Sequence, residues 1–364
     1  MHSVMNFIPS TFNENVPTYT VVGGVKRNAS TGLSAVILNR GGGRHSRYSF
    51  FEELEKIGFD YVLSMESPSA RYDLEGLSSS FPFVRFILPQ GPLNPGEAIN
   101  LAASELSGAL FFVLWNDLKI LRCGGAERMA ERLLAVSHNA SHRTSDGTSQ
   151  NASIEYSGDD KKSFKRLCTA PLIQDRRSET LPTIIAPALV PEKKARNVIR
   201  TIPFIPQREG LPTLFPFDGI GIYDRERFIR MGGFDPFIKN FYWQLMDFGF
   251  RSSLWGEEIA TTQLIKLSYE GTVPQEDSTA GEGFLRFFLK NMMPVFHGDS
   301  ANIPLSRFPK YFGRRGELFA SWDEFSAARA WVKTNRYRFT SDARTIAERF
   351  AYSGIGDSGD EETQ

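Results

Sequence analysis

Asp117 ends the stretch Gly108-Ala-Leu-Phe-Phe-Val-Leu-Trp-Asn-Asp117. The apolar run within it, Ala109 to Leu114, lies between a Gly and an Asn-Asp pair, which is the pattern of a buried central strand. A carboxylate at the carboxyl end of such a strand sits where open α/β sheets bind their ligands. Its oxygens suit a hard divalent cation such as Mg²⁺ or Mn²⁺, and the plainer use of Asp117 is to cap the following turn. Asn39 and Arg40 end a second apolar run, Leu33 to Leu38. The Arg40 guanidinium can pair with a phosphate or simply lie on the surface. His297 is a lone candidate ligand of a residue type that is more often structural.

These side chains need a frame. Pro95 suits a first helical turn, where its missing N–H costs nothing, and Gly108 suits the helix end. Tyr48 to Ile57 has helical spacing, Asp60 to Met65 and Phe83 to Leu88 read as strands, and Pro89 closes the latter. The strand and helix alternation up to Leu121 predicts a mainly parallel sheet covered on both faces. The Gly41 to Gly43 triplet reads as a loop, and the polar segment 137–165 as a mobile one. Runs at Leu167 to Ile173, Thr183 to Val190 and Val198 to Ile205 carry prolines that favour edge or connecting strands. Gly283 to Phe296 reads as helical, and Ser321-Trp-Asp-Glu324 has capping-box spacing for a helix through Asn335. The acidic, small residues 354–364 read as a disordered tail.

The run from Asn94, Gly96 and Asn100 through Ser107-Gly108 to Trp115-Asn116-Asp117 resembles the donor half of the family 2-like nucleotide-sugar glycosyltransferases of the GT-A fold. A second block, Gly219 to Asp235 with its Gly-Gly-Phe-Asp ending, followed by Phe241 to Arg251, is similar to their acceptor half. The resemblance implies an α/β fold with a GT-A-like, mainly parallel sheet flanked by helices. The transferase domain would span 31–280, after an N-terminal extension 1–30 and before a helical C-terminal extension 281–353. It implies transfer of a sugar from a nucleotide diphosphate sugar to a hydroxyl acceptor. Asn39, Arg40, Glu66, Asn100 and Asp117 would hold the nucleotide sugar, with Glu66 near the base and Asp117 on an Mg²⁺ or Mn²⁺ ion. Asp235, Trp243 and Arg251 would meet the acceptor, the indole either stacking on a sugar ring or packing in the core.

The sequence departs from that pattern at two places. Trp115 stands where the metal motif has its first acid, and Gln244-Leu245 replace a Glu-Asp pair that includes the expected proton acceptor. Leucine cannot take a proton, which leaves Asp247 and Asp218 as candidate catalytic carboxylates. Asp247 lies two residues on, about 200° around a helix. A catalytically degenerate binding or scaffold protein on the same fold is the alternative class.

Composition narrows the options. Lys and Arg total 42, as do Asp and Glu, so no global field favours nucleic acid. A hydrophobic content of 41% with 30 Phe supports a substantial core. The first ten residues lack a signal-peptide pattern, and no apolar run approaches the roughly 20 residues of a membrane span, so a soluble cytoplasmic protein is expected. Cys123 and Cys168 form no Cys-x-x-Cys pattern, which fits a reducing compartment. Arg307-Phe-Pro-Lys-Tyr-Phe-Gly-Arg-Arg315 mixes aromatic and basic residues and suggests a peripheral membrane contact, or an ordinary charged surface.

Overall fold

The computed structural model describes residues 16–40, 47–67, 73–133, 165–192 and 196–352. The Gly41 to Gly43 loop, nearly all of the 137–165 loop and the 354–364 tail lie outside the described residues.

The first half builds the frame that the alternation predicts. Strands β1 (Tyr19–Gly23), β2 (Leu33–Leu38), β3 (Val62–Met65), β4 (Val84–Pro89), β5 (Leu110–Trp115) and β6 (Leu118–Arg122) alternate with helices α1 (Arg47–Ile57), α2 (Leu74–Ser80) and α3 (Pro95–Glu105). A further helix, α4, covers 126–133. Then come β7 (Lys165–Gln174), the hairpin of β8 (Ile184–Glu192) and β9 (Arg196–Phe204), β10 (Gly221–Asp224), α5 (Arg225–Arg230), α6 (Phe241–Leu254) and β11 (Glu257–Tyr269). Nine strands share one sheet in the order β1-β4-β3-β2-β5-β10-β7-β11-β6. The block β4-β3-β2-β5 is parallel, and antiparallel pairings join β1, β10 and β6 to it or to the far half. Every residue of β2 and β5 is buried, which is why these strands are nearly continuous apolar runs, broken only by Ser34, with no polar alternation.

Local chemistry explains the starts of the helices. Asn94 caps α3 with a reciprocal bond to Glu97, and Pro95 occupies the first turn. The helix ends at Glu105 with Leu106 as its cap, so Gly108 is not its terminator. Instead a Cβ at Gly108 would come within 2.9 Å of the Gly32 carbonyl oxygen, and glycine permits that approach of two chain segments.

Two further expectations are corrected. Although it contains Pro171, β7 lies inside the sheet between β10 and β11. Pro171 pairs with Thr262 where the β7–β11 register shifts, and a bulge tolerates a residue with no N–H to donate. The Ser321 spacing does not open a helix. Helix α9 (Leu318–Asn335) begins three residues earlier, and Ser321 lies buried within it, its N–H donating to the Glu317 carbonyl.

The C-terminal part starts with α7 (Glu282–Phe287), which runs into a wide π turn at Phe288–Met292 before a small hairpin of β12 (Val295–His297) and β13 (Ser300–Asn302). Helices α8 (Phe308–Arg315), α9 and α10 (Ala343–Tyr352) follow. Trp255 at the end of α6 stacks on Trp331 of α9, with Phe339 edge-on to both. No helix among the described residues is long and apolar enough to cross a membrane.

Candidate functional site

Because β2, β3 and β5 are parallel and pair Leu38 with Met65 and with Trp115, their carboxyl ends share one sheet edge. Asn39-Arg40, Glu66 and Asp117 therefore meet there. The Asn39 side-chain amide donates to the Met65 carbonyl at 2.6 Å. Glu66 is buried, and its carboxylate accepts from Ser64 Oγ at 2.7 Å and from both terminal nitrogens of Arg47 at 3.1 and 2.8 Å. Asn39, Glu66 and Ser67 face a cleft of about 230 Å³ whose other walls are apolar and include Leu38, Met65, Leu93 and Trp115. Apolar walls with a few fixed polar groups suit a flat, partly polar ring.

Arg40 occupies the centre. Its backbone N–H donates to Asn116 Oδ1 at 2.8 Å, and Asn116 Nδ2 donates back to the Arg40 carbonyl. Its guanidinium lies 3.9 Å over the Trp115 ring and donates to Asp117 Oδ2 at 3.3 Å and to Asp218 Oδ2 at 2.6 Å. Trp115 Nε1 in turn donates to the Asp218 carbonyl, and the Tyr269 hydroxyl donates to Asp218 Oδ2 at 2.8 Å. Asp218 adopts a left-handed backbone (φ 53°), uncommon for a residue with a side chain. These convergent bonds hold it there. Burial pushes its carboxyl up to about 6, against the opposing pull of Arg40 and Tyr269.

Asp218 also lines a second pocket, about 160 Å³, with Phe241, Tyr242, Leu245 and Glu276. Trp115 of the first pocket is thus hydrogen-bonded to Asp218 of the second, and Arg40 contacts both. Leu245, the leucine in the proton acceptor's place, faces this pocket. Glu276 faces it as well, from the exposed loop after β11. Desolvation by the pocket wall, reinforced by the negative charge of Asp218, pushes the Glu276 carboxyl up to about 7.

The remaining expected residues do not join this constellation. Asn100 donates to the Phe234 carbonyl and accepts from the Phe234 N–H, so both ends of its amide clamp the Gly233-Phe234 turn. Gln244 accepts from the Gly96 N–H and donates to Asn94 and to the Asp235 carbonyl. It thereby ties α6 to the start of α3. A Cβ at Gly96 would come within 2.6 Å of the Gln244 oxygen, so only glycine fits that crossing. Trp243 is buried against Phe284 and Phe287 with its indole N–H on the Thr279 carbonyl; it is a core residue and not an exposed stacking face.

Asp235, Asp247 and Arg251 form one buried ion cluster. Asp235 accepts from Arg286 at 2.7 Å and from Lys290 at 2.8 Å. Asp247 accepts from Lys290 at 2.8 Å, from Asn291 and from Arg251 at 3.0 Å. The π turn directs Lys290 and Asn291 inward, both buried. The cations hold both carboxyls below the ordinary aspartate value despite their burial. Asp247 is 0% exposed and cannot meet an acceptor hydroxyl, and Arg251 spends its donors on Asp247 and the Gly233 and Met231 carbonyls.

Glu276, Tyr269 and Arg47 were not among the sequence candidates, nor was Trp115 as a platform for Arg40. Glu276 stands in Pro274-Gln-Glu-Asp277, which carries no motif, and Tyr269 reads only as the last residue of a strand. A divalent cation does not fit the side chains as arranged. Asp117 Oδ1 is buried without a hydrogen-bond partner and could serve as one ligand, but the guanidinium takes the other oxygen and the ground between the two acids. Among the described residues no three His, Cys, Asp or Glu side chains converge as a metal site, and His297 is exposed on the β12–β13 hairpin.

The chain has a GT-A-like glycosyltransferase fold. Its backbone superposes on the crystal structure of GalNAc-T7 with UDP, GalNAc and Mn²⁺ at a TM-score of 0.54 and 12% identity, covering 93% of this chain and 57% of that one. The chain thus spans little more than half the length of that protein. It also matches S. aureus TarS in complex with UDP-GlcNAc (TM-score 0.43, 10% identity, 71% and 64% of the two chains). A third match is the Pyrobaculum calidifontis mannosyltransferase PcManGT with GDP-Man and Mn²⁺ (0.36, 11%, 89% and 79%). The last two superpose too loosely to carry an argument, and at 12% identity the first shows the fold alone. No family model matches the chain, and no curated protein matches its sequence.

Proposed function

We propose that the protein is a glycosyltransferase that binds a nucleotide diphosphate sugar across the carboxyl ends of β2, β3 and β5 and passes the sugar to a hydroxyl acceptor in the adjoining pocket. The observation that carries this reading is a pair of pockets at the sheet edge where this fold offers its ligand site, one lined by Trp115 and the other by Asp218, with the Arg40 guanidinium in contact with both residues. The apolar-walled cleft beside Asn39 and Glu66 suits the base, with Glu66 keeping Arg47 in place. Arg40 meets the diphosphate. Glu276 is the proton acceptor that Leu245 cannot be, and Asp218 positions Arg40. The bond between the anomeric carbon and the phosphate oxygen breaks with its electron pair on that oxygen. The acceptor oxygen bonds to the anomeric carbon, and its proton passes to Glu276. A ligand that binds only the native state raises apparent stability, so UDP, GDP, CMP and dTDP can be ranked by thermal shift. At least one diphosphate should raise the melting temperature, and Trp115→Ala should abolish the shift. No shift with any of them would count against the reading. Binding with no transfer to any acceptor would favour the scaffold alternative.

A peripheral membrane contact is proposed at the corner between α8 and α9. Arg314 and Arg315 turn back onto Phe288, Glu282 and Glu324, whereas Leu318, Trp322 and above all Phe319, 85% exposed, point outward. Exposed apolar side chains grouped at such a corner suit insertion into a bilayer surface. The protein should co-sediment with phospholipid vesicles, and Phe319→Glu should release it. Equal sedimentation of the two proteins would refute the contact.

A further inference from the structure

The mismatch between the central acids and a metal shell has a direct chemical reading. We infer that the Arg40 guanidinium stands in the place of a divalent cation, so that this protein recognises the diphosphate of its donor without a metal. The inference rests on the proposed nucleotide-sugar reading and concerns how that site neutralises the phosphates.

Three observations support it. First, Arg40 bridges the two acids that would otherwise face each other at the centre of the site, Asp117 and Asp218. A cation entering there would have to displace a group of like charge from both. Second, the guanidinium is held in one orientation by the Trp115 face, by the two carboxylates and by the Asn116 amide on its own backbone. A planar fork fixed this way presents hydrogen bonds in a defined direction, as a flexible ammonium does not. Third, the group remains open to ligand. Its side chain is 26% exposed, and only two of the five guanidinium N–H donors are committed among the described residues, leaving three for phosphate oxygens. As the bond to the anomeric carbon breaks, charge grows on the departing phosphate oxygen. An N–H donor already in place stabilises that charge without reorganising.

The test is calorimetric titration of the full chain with UDP and GDP, in EDTA and in excess MnCl₂. The expected result is the same affinity in both buffers, and a loss of at least about tenfold in Arg40→Met, as befits a charge-assisted bond to phosphate. Arg40→Lys should recover only part of it. Binding that appears only with Mn²⁺ would overturn the inference and leave the nucleotide reading intact, as would Arg40→Met binding as well as the parent. The wild-type comparison needs no variant to fold. If neither nucleotide binds in either buffer, the nucleotide reading fails and this inference with it.

Discussion

Glu276→Gln should lower kcat by about 10² to 10⁴, the usual contribution of a positioned general base, while leaving nucleotide binding unchanged. The carboxylate is used chiefly in the transition state, when the acceptor proton moves, so its loss falls on kcat more than on donor affinity. The base works when ionised and its carboxyl is pushed up to about 7, so wild-type kcat/KM should fall as the pH drops below about 7. The Gln variant should lack that limb. A stability measurement separates this from misfolding. The folded value lies above the ordinary 4.5, so the stability contributed by this group is fully present below pH 4.5 and lost as pH rises through about 7. Glu276→Gln should therefore be no less stable than the parent at pH 8. Equal turnover in parent and variant would remove Glu276 from the mechanism.

Lys290→Met should destabilise the protein by about 3 to 5 kcal/mol, the range found when one partner of a buried ion pair is deleted. Lys290 is the cation shared by Asp235 and Asp247, and methionine would leave both carboxylates short of a partner in a site they cannot leave. The penalty arises from that buried mismatch and not from the pair's net worth, which for buried pairs is small. Both aspartates are held below their ordinary value of 3.8. Their contribution is thus present above pH 3.8 and lost as the pH falls through the depressed values, so the difference between parent and variant should be full at neutral pH and shrink in acid. Chemical denaturation at neutral pH and at pH 3 measures it. A neutral midpoint shared by the two proteins would show that the cluster is not the structural tie described.

What could be read from the residues was local. Leu33 to Leu38, save for Ser34, and Leu110 to Leu114 are apolar without alternation because strands buried on both faces have no wet side, and that placed Asn39, Arg40 and Asp117 at one edge. Pro95 marks the first turn of α3 because its missing N–H costs nothing there, whereas the Asn94–Glu97 capping box appears only in the structure. The central contacts were not legible because they join distant parts of the chain. Arg40 meets Asp117 and Asp218 across 77 and 178 residues, and no periodicity connects them. Asp235 and Asp247 looked chemical because they are acids in a motif. Their cations, Arg286 and Lys290, lie 51 and 43 residues downstream, where a π turn that no spacing rule announces turns Lys290 inward. Glu276 was missed for a different reason: its loop has no pattern, and only the wall it shares with Asp218 and Leu245 makes its carboxyl unusual.

On the proposed function, a nucleotide diphosphate sugar lies across the carboxyl ends of β2, β3 and β5. A crystal structure of the protein soaked with UDP or GDP tests it most directly. The base is expected in the cleft beside Asn39 and Glu66 and the diphosphate on the Arg40 guanidinium, with the β-phosphate directed toward the pocket of Glu276. A nucleotide bound elsewhere, or a diphosphate out of reach of Arg40, would contradict it.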